Sequence, residues 1–299
     1  MKVIASRANP SPSLWLPGLL LCSLLALIAV QSGLVPFPAA GATIERPETI
    51  IVPPRSFSSR LAGEFVRDRV PVDAPMATIE RDRPIEIMKF QVGVFDYARC
   101  VADGACEAAA PRRKADGDVP VTGVNFNDAK DYARWLSAQT GETWRLPTVE
   151  EWAFAAGSRL VDHALGIETD SANPAERWIA TYEREAALGA AASAKPEPRG
   201  AFGENELGVA DLGGSVWEWT ATCDGRTTLG IDGGVLTHIE SCGVRILEGR
   251  HRAPMSAFIR DGRSGGCSVG TPPDNLGFRL VRERPWYAPL AELARRITG

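Results

Sequence analysis

The sequence contains no repeat of fixed period, which excludes solenoids and propellers. It also lacks an excess of basic charge. Lys and Arg total 33 against 37 Asp and Glu, a net charge of -4, so no electrostatic footprint for nucleic acid is present. Acidic residues are absent before Glu45, and there are only three histidines, His163, His238 and His251. Aromatic residues make up a modest 7%, yet eight of them are Trp. What the chain does have is 299 residues, 44% of them apolar, which rules out a disordered polypeptide and supplies one large core or two small ones. With 29 Gly and 22 Pro, a loop-rich fold pinned by large aromatic anchors fits better than a helix bundle.

The acid-free amino terminus carries Lys2 and Arg7, then an apolar run from Leu14 to Val30, then small residues ending in Ala40-Gly41-Ala42. This is the layout of an export signal over residues 1–42, cleaved after the A-x-A site. An uncleaved anchor is the other reading, since a run near 20 residues can just span a bilayer. Either way the domain is expected outside the cytoplasm, periplasmic or secreted, with the membrane touched only through this segment.

That placement governs the cysteines. Cys22 sits among leucines and reads as apolar filler, whereas Cys100, Cys106, Cys223, Cys242 and Cys267 face an oxidising compartment where disulfides persist. Cys100 and Cys106 flank an Asp103-Gly104 turn and are expected to close a small loop. Cys223 and Cys242 bracket a Gly-, Thr- and Asp-rich excursion that a staple would order. Cys267 is then left over: either a reactive thiol among arginines or a partner for Cys223 or Cys242.

Along the chain, Pro47, Pro53 and Pro54 make residues 43–84 an extended lead-in. Ile85, Ile87 and Phe90 predict a strand, Phe95 to Val101 a short helix, and Val119 to Val124 a strand interrupted by Pro120. Asn127 is the expected cap of a helix with Tyr132, Ala133 and Leu136 on its apolar face and Gly141 at its end. Trp144 to Pro147 predicts a brief strand, and Thr148 with Glu151 a capping box for a helix that buries Trp152, Phe154 and Ala155. Residues 158–200 read as a long surface insertion. Beyond Gly200 the pattern is strand and turn, with Leu276, Phe278 and Leu280 in a closing strand and a terminal helix over Trp286 to Ile297. Two real helices among irregular strands give an α+β class.

Several segments form an ordered series: Pro120-Val121-Thr122-Gly123-Val124, Arg145-Leu146-Pro147-Thr148-Val149-Glu150-Glu151-Trp152, Asp211-Leu212-Gly213-Gly214-Ser215-Val216-Trp217-Glu218-Trp219 and Asn275-Leu276-Gly277-Phe278-Arg279-Leu280. Over residues 85–283 the series resembles the formylglycine-generating enzyme, or sulfatase-modifying factor, family. The resemblance implies a loop-rich α+β fold related to C-type lectin domains, with 284–299 as a tail.

Read from the residues themselves, Arg145 and Arg279 need carboxylate partners among Glu150, Glu151 and Glu218. Trp217 and Trp219 share one strand face and Glu218 takes the other. A carboxylate beside a Gly-rich turn and Asp211 suits calcium, which gathers carboxylate and carbonyl oxygens. The resemblance implies the same site at Asp211, Gly213, Gly214, Val216 and Glu218, with Ser215 where the family has Asn. The competing reading is that Glu218 pairs with Arg145 or Arg279. The family's first calcium site should fall near Ala175-Glu176-Arg177-Trp178, where this sequence reads differently.

The family's oxidase chemistry uses two closely spaced cysteines that bind copper, and thiolates are the ligands soft copper prefers. Here the matching segment is Arg245 to Arg252, and no cysteine lies between Cys242 and Cys267. The relatives that use iron need three grouped histidines, which this chain lacks. Neither copper nor iron is therefore expected. The remaining catalytic candidates are Cys267 and His251. Arg250, Arg252 and Arg263, with Arg245 and Arg260, are candidates for an anion-binding floor. The leading expectation is an exported non-oxidase member: an accessory, maturation or binding protein acting on a periplasmic protein or small ligand. It resembles relatives linked to siderophore maturation or to copper nitrite reductase systems (the NirV type). The alternatives are a metal- or thiol-dependent oxidoreductase and a calcium-dependent lectin-like module.

Overall fold

The computed structural model describes residues 44–114, 117–167, 173–189, 195–263 and 275–284. The expected signal segment, Cys267 and the terminal helix lie outside them.

The lead-in is extended, as its prolines require, but it is built into sheets. Strands β1 (Thr49–Val52), β2 (Arg55–Arg60), β3 (Glu64–Arg67), β4 (Val70–Val72) and β5 (Met76–Arg81) all precede Pro84. β6 (Ile85–Met88) follows, then α1 (Val94–Ala102) and α2 (Phe126–Thr140). β7 (Trp144–Arg145), α3 (Val149–Ala156) and α4 (Pro174–Gly189) lead to the long strands β8 (Trp217–Leu229) and β9 (Val235–Glu248). β10 (Ala253–Ser256), β11 (Leu276–Gly277) and β12 (Val281–Arg282) close the series. One sheet has the order β1-β6-β12-β7, a second β10-β9-β8-β3-β4 with β11 beside β8, and β2 pairs with β5 alone. This is an α+β architecture.

Local signals explain most element ends. Thr148 Oγ1 accepts from Glu151 N at 3.1 Å and Glu151 Oε2 accepts from Thr148 N at 3.0 Å, so α3 starts on a complete capping box. Helix α2 is capped by Asn125, not Asn127. Asn125 Oδ1 accepts from Asp128 N at 2.9 Å, and Asp128 Oδ2 returns the bond to Asn125 N at 2.8 Å. Gly141, at φ 69°, ends the helix in the left-handed region. Val119 to Val124 forms no strand; only Pro120 bridges, to Gly93, because proline has no N–H for a ladder. The 158–200 insertion holds α4, which exposes Trp178, Ile179 and Tyr182.

The main core joins α1 and α2 to β8 and the closing segment: Tyr97, Tyr132, Leu136, Trp217, Trp219, Leu276, Phe278 and Leu280 are all buried. A second cluster packs α3 through Trp152, Phe154 and Ala155 against Val52, Ile87 and Val281. Both expected disulfides are present, Cys100–Cys106 with Cα atoms 5.3 Å apart and Cys223–Cys242 at 4.5 Å.

Candidate functional site around Glu218 and Glu248

Strand β8 carries Trp217 and Trp219 into the core and turns Glu218 to the opposite face, all three shielded from solvent. β11 runs parallel beside it, with Leu276 opposite Trp217 and Gly277 opposite Glu218. Gly277 is required there, since a Cβ would sit 2.6 Å from the Val121 carbonyl oxygen.

Glu218 is fully buried and its carboxylate is saturated with donors. Arg279 Nε reaches Oε2 at 2.6 Å and a terminal Arg279 nitrogen reaches Oε1 at 2.8 Å. Trp152 Nε1 adds a bond to Oε2 at 2.9 Å, and Gln91 Nε2 one to Oε1 at 2.7 Å. Arg279 spends its other N–H groups on the carbonyls of Met88, Lys89 and Ala210. A fully buried ion pair is tolerated only when every proton and lone pair is matched in this way. Arg145 instead takes Glu151, in two bonds of 2.7 and 2.8 Å, while Arg81 takes Glu150. Burial would raise the Glu151 carboxyl, but the bonds from Arg145 and from Thr148 N outweigh it and hold it below its ordinary value.

The turn before β8 is fixed by Asp211, whose φ of 59° belongs to the left-handed region that Asp and Asn tolerate. Its carboxylate accepts from Gly200 N at 2.6 Å and Phe202 N at 2.9 Å. Gly214 O accepts from Arg250 Nε at 2.9 Å. The residues expected to hold calcium are thus adjacent, but both carboxylates point at N–H donors. The fixed cation beside Glu218 is the Arg279 guanidinium, so a calcium ion would have to displace it. This donor set does not fit calcium.

Opposite Glu218 across the ladder stands Glu248, equally buried. Arg252 Nε donates to its Oε1 at 2.6 Å. Its Oε2 has no hydrogen-bond partner among the described residues and lies 3.8 Å from His163 Nε2. Burial pushes this carboxyl up, yet the charge of Arg252 and the interaction with His163 hold it below its ordinary value. His251 packs edge-on against Trp217, ring centres 5.2 Å apart, and its carbonyl accepts from Trp217 Nε1. The residue is buried.

Each of these arginines has acceptors or contacts of its own. Arg250 binds Gly214 O, Arg252 binds Glu248 and the carbonyls of Arg60 and Leu61, and Arg260 binds Asp128 and Glu107. Arg245 lies over the Phe126 ring, and Arg263 stands in an exposed turn after Asp261. Each acceptor belongs to a different part of the fold.

Sequence reasoning did not single out Gln91, Trp152 as a donor, or the pairing of Glu248 with His163. Gln91 also lines a cavity of about 420 Å³ with Phe90, Asp96, Arg99, Asp118 and Arg199, and its Oε1 has no partner among the described residues. Its only signal was polarity in an apolar stretch.

Fold and motifs together define a sulfatase-modifying-factor type of domain. The profile described as "Sulfatase-modifying factor enzyme 1-like domain" matches residues 37–284, and the chain belongs to that family. It is similar to the formylglycine-generating enzyme of Mycobacterium tuberculosis, 36% identical over 111 residues that cover 34% of this chain and 33% of that protein. It is also similar to the mouse protein named inactive C-alpha-formylglycine-generating enzyme 2, 31% identical over 173 residues, 55% of this chain and 49% of that one. The chain thus spans between a third and a half of these two relatives. Among solved structures, that of PvdO from Pseudomonas aeruginosa matches with a TM-score of 0.51 and 25% identity over 80% of this chain and 95% of that one.

Proposed function

We propose that this chain is an exported, non-oxidase member of its family that acts as a periplasmic accessory, maturation or binding protein. One observation carries the reading: the segment that matches the family's copper-binding stretch, Arg245 to Arg252, contains no thiol. Its buried members are committed elsewhere, Glu248 to Arg252 and His251 to Trp217. Without a thiolate pair that stretch offers no soft site at which copper could activate oxygen.

Similarity to a relative named as inactive is in keeping with a domain that keeps the fold without the oxidase. The cavity beside Gln91 offers a recognition site with charges of both signs on its rim. Its ligand would be a zwitterionic small molecule or a protein loop. Export follows from the Lys2, Arg7 and Ala40-Gly41-Ala42 layout, and a partner in a nitrite reductase or siderophore system would be met in the same compartment.

The test combines metal analysis of the full chain, purified from periplasm without chelators, with an assay for conversion of a cysteine peptide to formylglycine. The reading expects neither stoichiometric copper or iron nor product. Either one overturns it, as does recovery of the chain from the cytoplasm alone.

A further inference from the structure

The Cys223–Cys242 bond lies where the β8–β9 ladder breaks register. Cys223 stands opposite Arg245, whereas the next residue, Asp224, stands opposite Ser241, so residues 242–244 bulge out of the ladder. The bulge leaves the two sulfurs in unlike surroundings. Cys242 is exposed and Cys223 only partly so. An Arg245 terminal nitrogen lies 2.9 Å from Cys223 Sγ and also donates to Ala221 O. Arg245 Nε is buried with no hydrogen-bond partner among the described residues. On the other sulfur, Glu240 Oε2 sits 3.7 Å from Cys242 Sγ.

From this asymmetry we infer that Cys223–Cys242 is a thiol–disulfide exchange site, in which an incoming thiolate bonds to the exposed Cys242 and Cys223 leaves as the thiolate paired with Arg245. The attacking sulfur forms a new S–S bond to Cys242 Sγ, the old S–S bond breaks, and its electron pair goes to Cys223 Sγ. A second thiol of the same reductant then attacks the mixed disulfide, leaving the reductant oxidised and both protein cysteines reduced. The better-stabilised thiolate is the better leaving group, which fixes the direction of attack. Burial depresses the Arg245 guanidinium, so it gains from an anionic neighbour. Glu240, against Cys242 Sγ, makes the approach to that sulfur acidic, so the substrate class is a dithiol carried on a neutral or basic molecule.

The test uses the full chain, undenatured, with free thiols blocked beforehand. Cysteamine, 2-mercaptoethanol and 3-mercaptopropionate are added in parallel and the products mapped by mass spectrometry. Cys223–Cys242 should open about tenfold faster than the buried Cys100–Cys106. The trapped adduct should sit on Cys242, and rates corrected for thiolate fraction should fall from cysteamine to mercaptopropionate. Arg245→Gln should slow opening roughly tenfold and raise the pH at which reduced Cys223 becomes alkylatable, with Arg245→Lys close to wild type. Glu240→Gln, on the exposed strand, should speed attack even if Arg245→Gln does not fold. Equal opening of the two disulfides, adducts on Cys223, or unchanged rates in Glu240→Gln would overturn the inference.

Discussion

Glu218 and Glu248 face each other across the β8–β9 ladder with both carboxylates sealed from solvent. Like charges in directly opposed positions repel. The fold accommodates them by giving each its own arginine from a different segment, Arg279 for Glu218 and Arg252 for Glu248. The site is therefore a four-charge arrangement whose pieces are useful only together.

Arg279→Met should be severely destabilising, by about 3–5 kcal/mol, because it strands Glu218 as a buried charge. The double change Glu218→Leu with Arg279→Met should recover part of that loss. Urea unfolding of the two variants and the wild type measures both. A single change costing under about 1 kcal/mol would show that Glu218 finds other compensation.

Glu248 makes stability depend on acid. Its carboxyl is held below the ordinary value of 4.5, so its contribution is complete above that value and disappears as the pH falls. The groups facing it are Arg252, His163 and Glu218. Glu248→Gln should be less stable than wild type at neutral pH and should lose less on going from about pH 5 to pH 3. Melting curves across that range check the sign.

The two asparagines at the start of α2 should separate cleanly. Asn125→Ala removes half of a capping box and should cost about 1 kcal/mol, whereas Asn127→Ala should stay within about 0.5 kcal/mol. Thermal unfolding of the pair distinguishes them.

Calcium should leave the melting temperature of the full chain unchanged, since Arg279 already occupies the carboxylate a calcium ion would need. Glu218→Ala should lower stability equally with calcium and with chelator. A calcium-dependent rise in wild type, lost in Glu218→Ala, would mean that the ion displaces the guanidinium.

Features encoded within a few residues were readable from sequence. The Thr148–Glu151 capping box, the Trp217-Glu218-Trp219 alternation and the Cys100–Cys106 loop depend on short spacings, and all are found, as is the longer Cys223–Cys242 loop. The cap of α2 was misplaced by two residues because two asparagines compete, and the Asp128 return bond that selects Asn125 is a geometric detail. Of the strands between Thr49 and Arg81, the β3–β4 hairpin and the β2–β5 pair are local and turn through Asp68 and Arg69 rather than through a Gly or Pro signal. The others, β1 and β3 on its second edge, have partners far along the chain, β6 and β8. The same holds for the candidate site. That Glu218 needed a partner was legible, and Arg279 was one of two possibilities. The contributions of Gln91 and Trp152 come from segments 127 and 66 residues away. The acceptors of the arginines were not legible for a related reason: nearness in sequence does not reveal the turns that send Arg250 to Gly214, Arg252 to Glu248 and Arg260 to Asp128.

The β1-β6-β12-β7 sheet has a topological consequence. Its first strand begins at Thr49 and its last-made strand ends at Arg282, with only β6 between them, so the two ends of the domain lie about 10 Å apart. A short linker could join them, and the cut ends could be moved to the exposed hairpin tip between Leu229 and Val235. Removing β1 would strip an edge strand from β6, whereas removing β12 would take out the strand that joins β6 to β7.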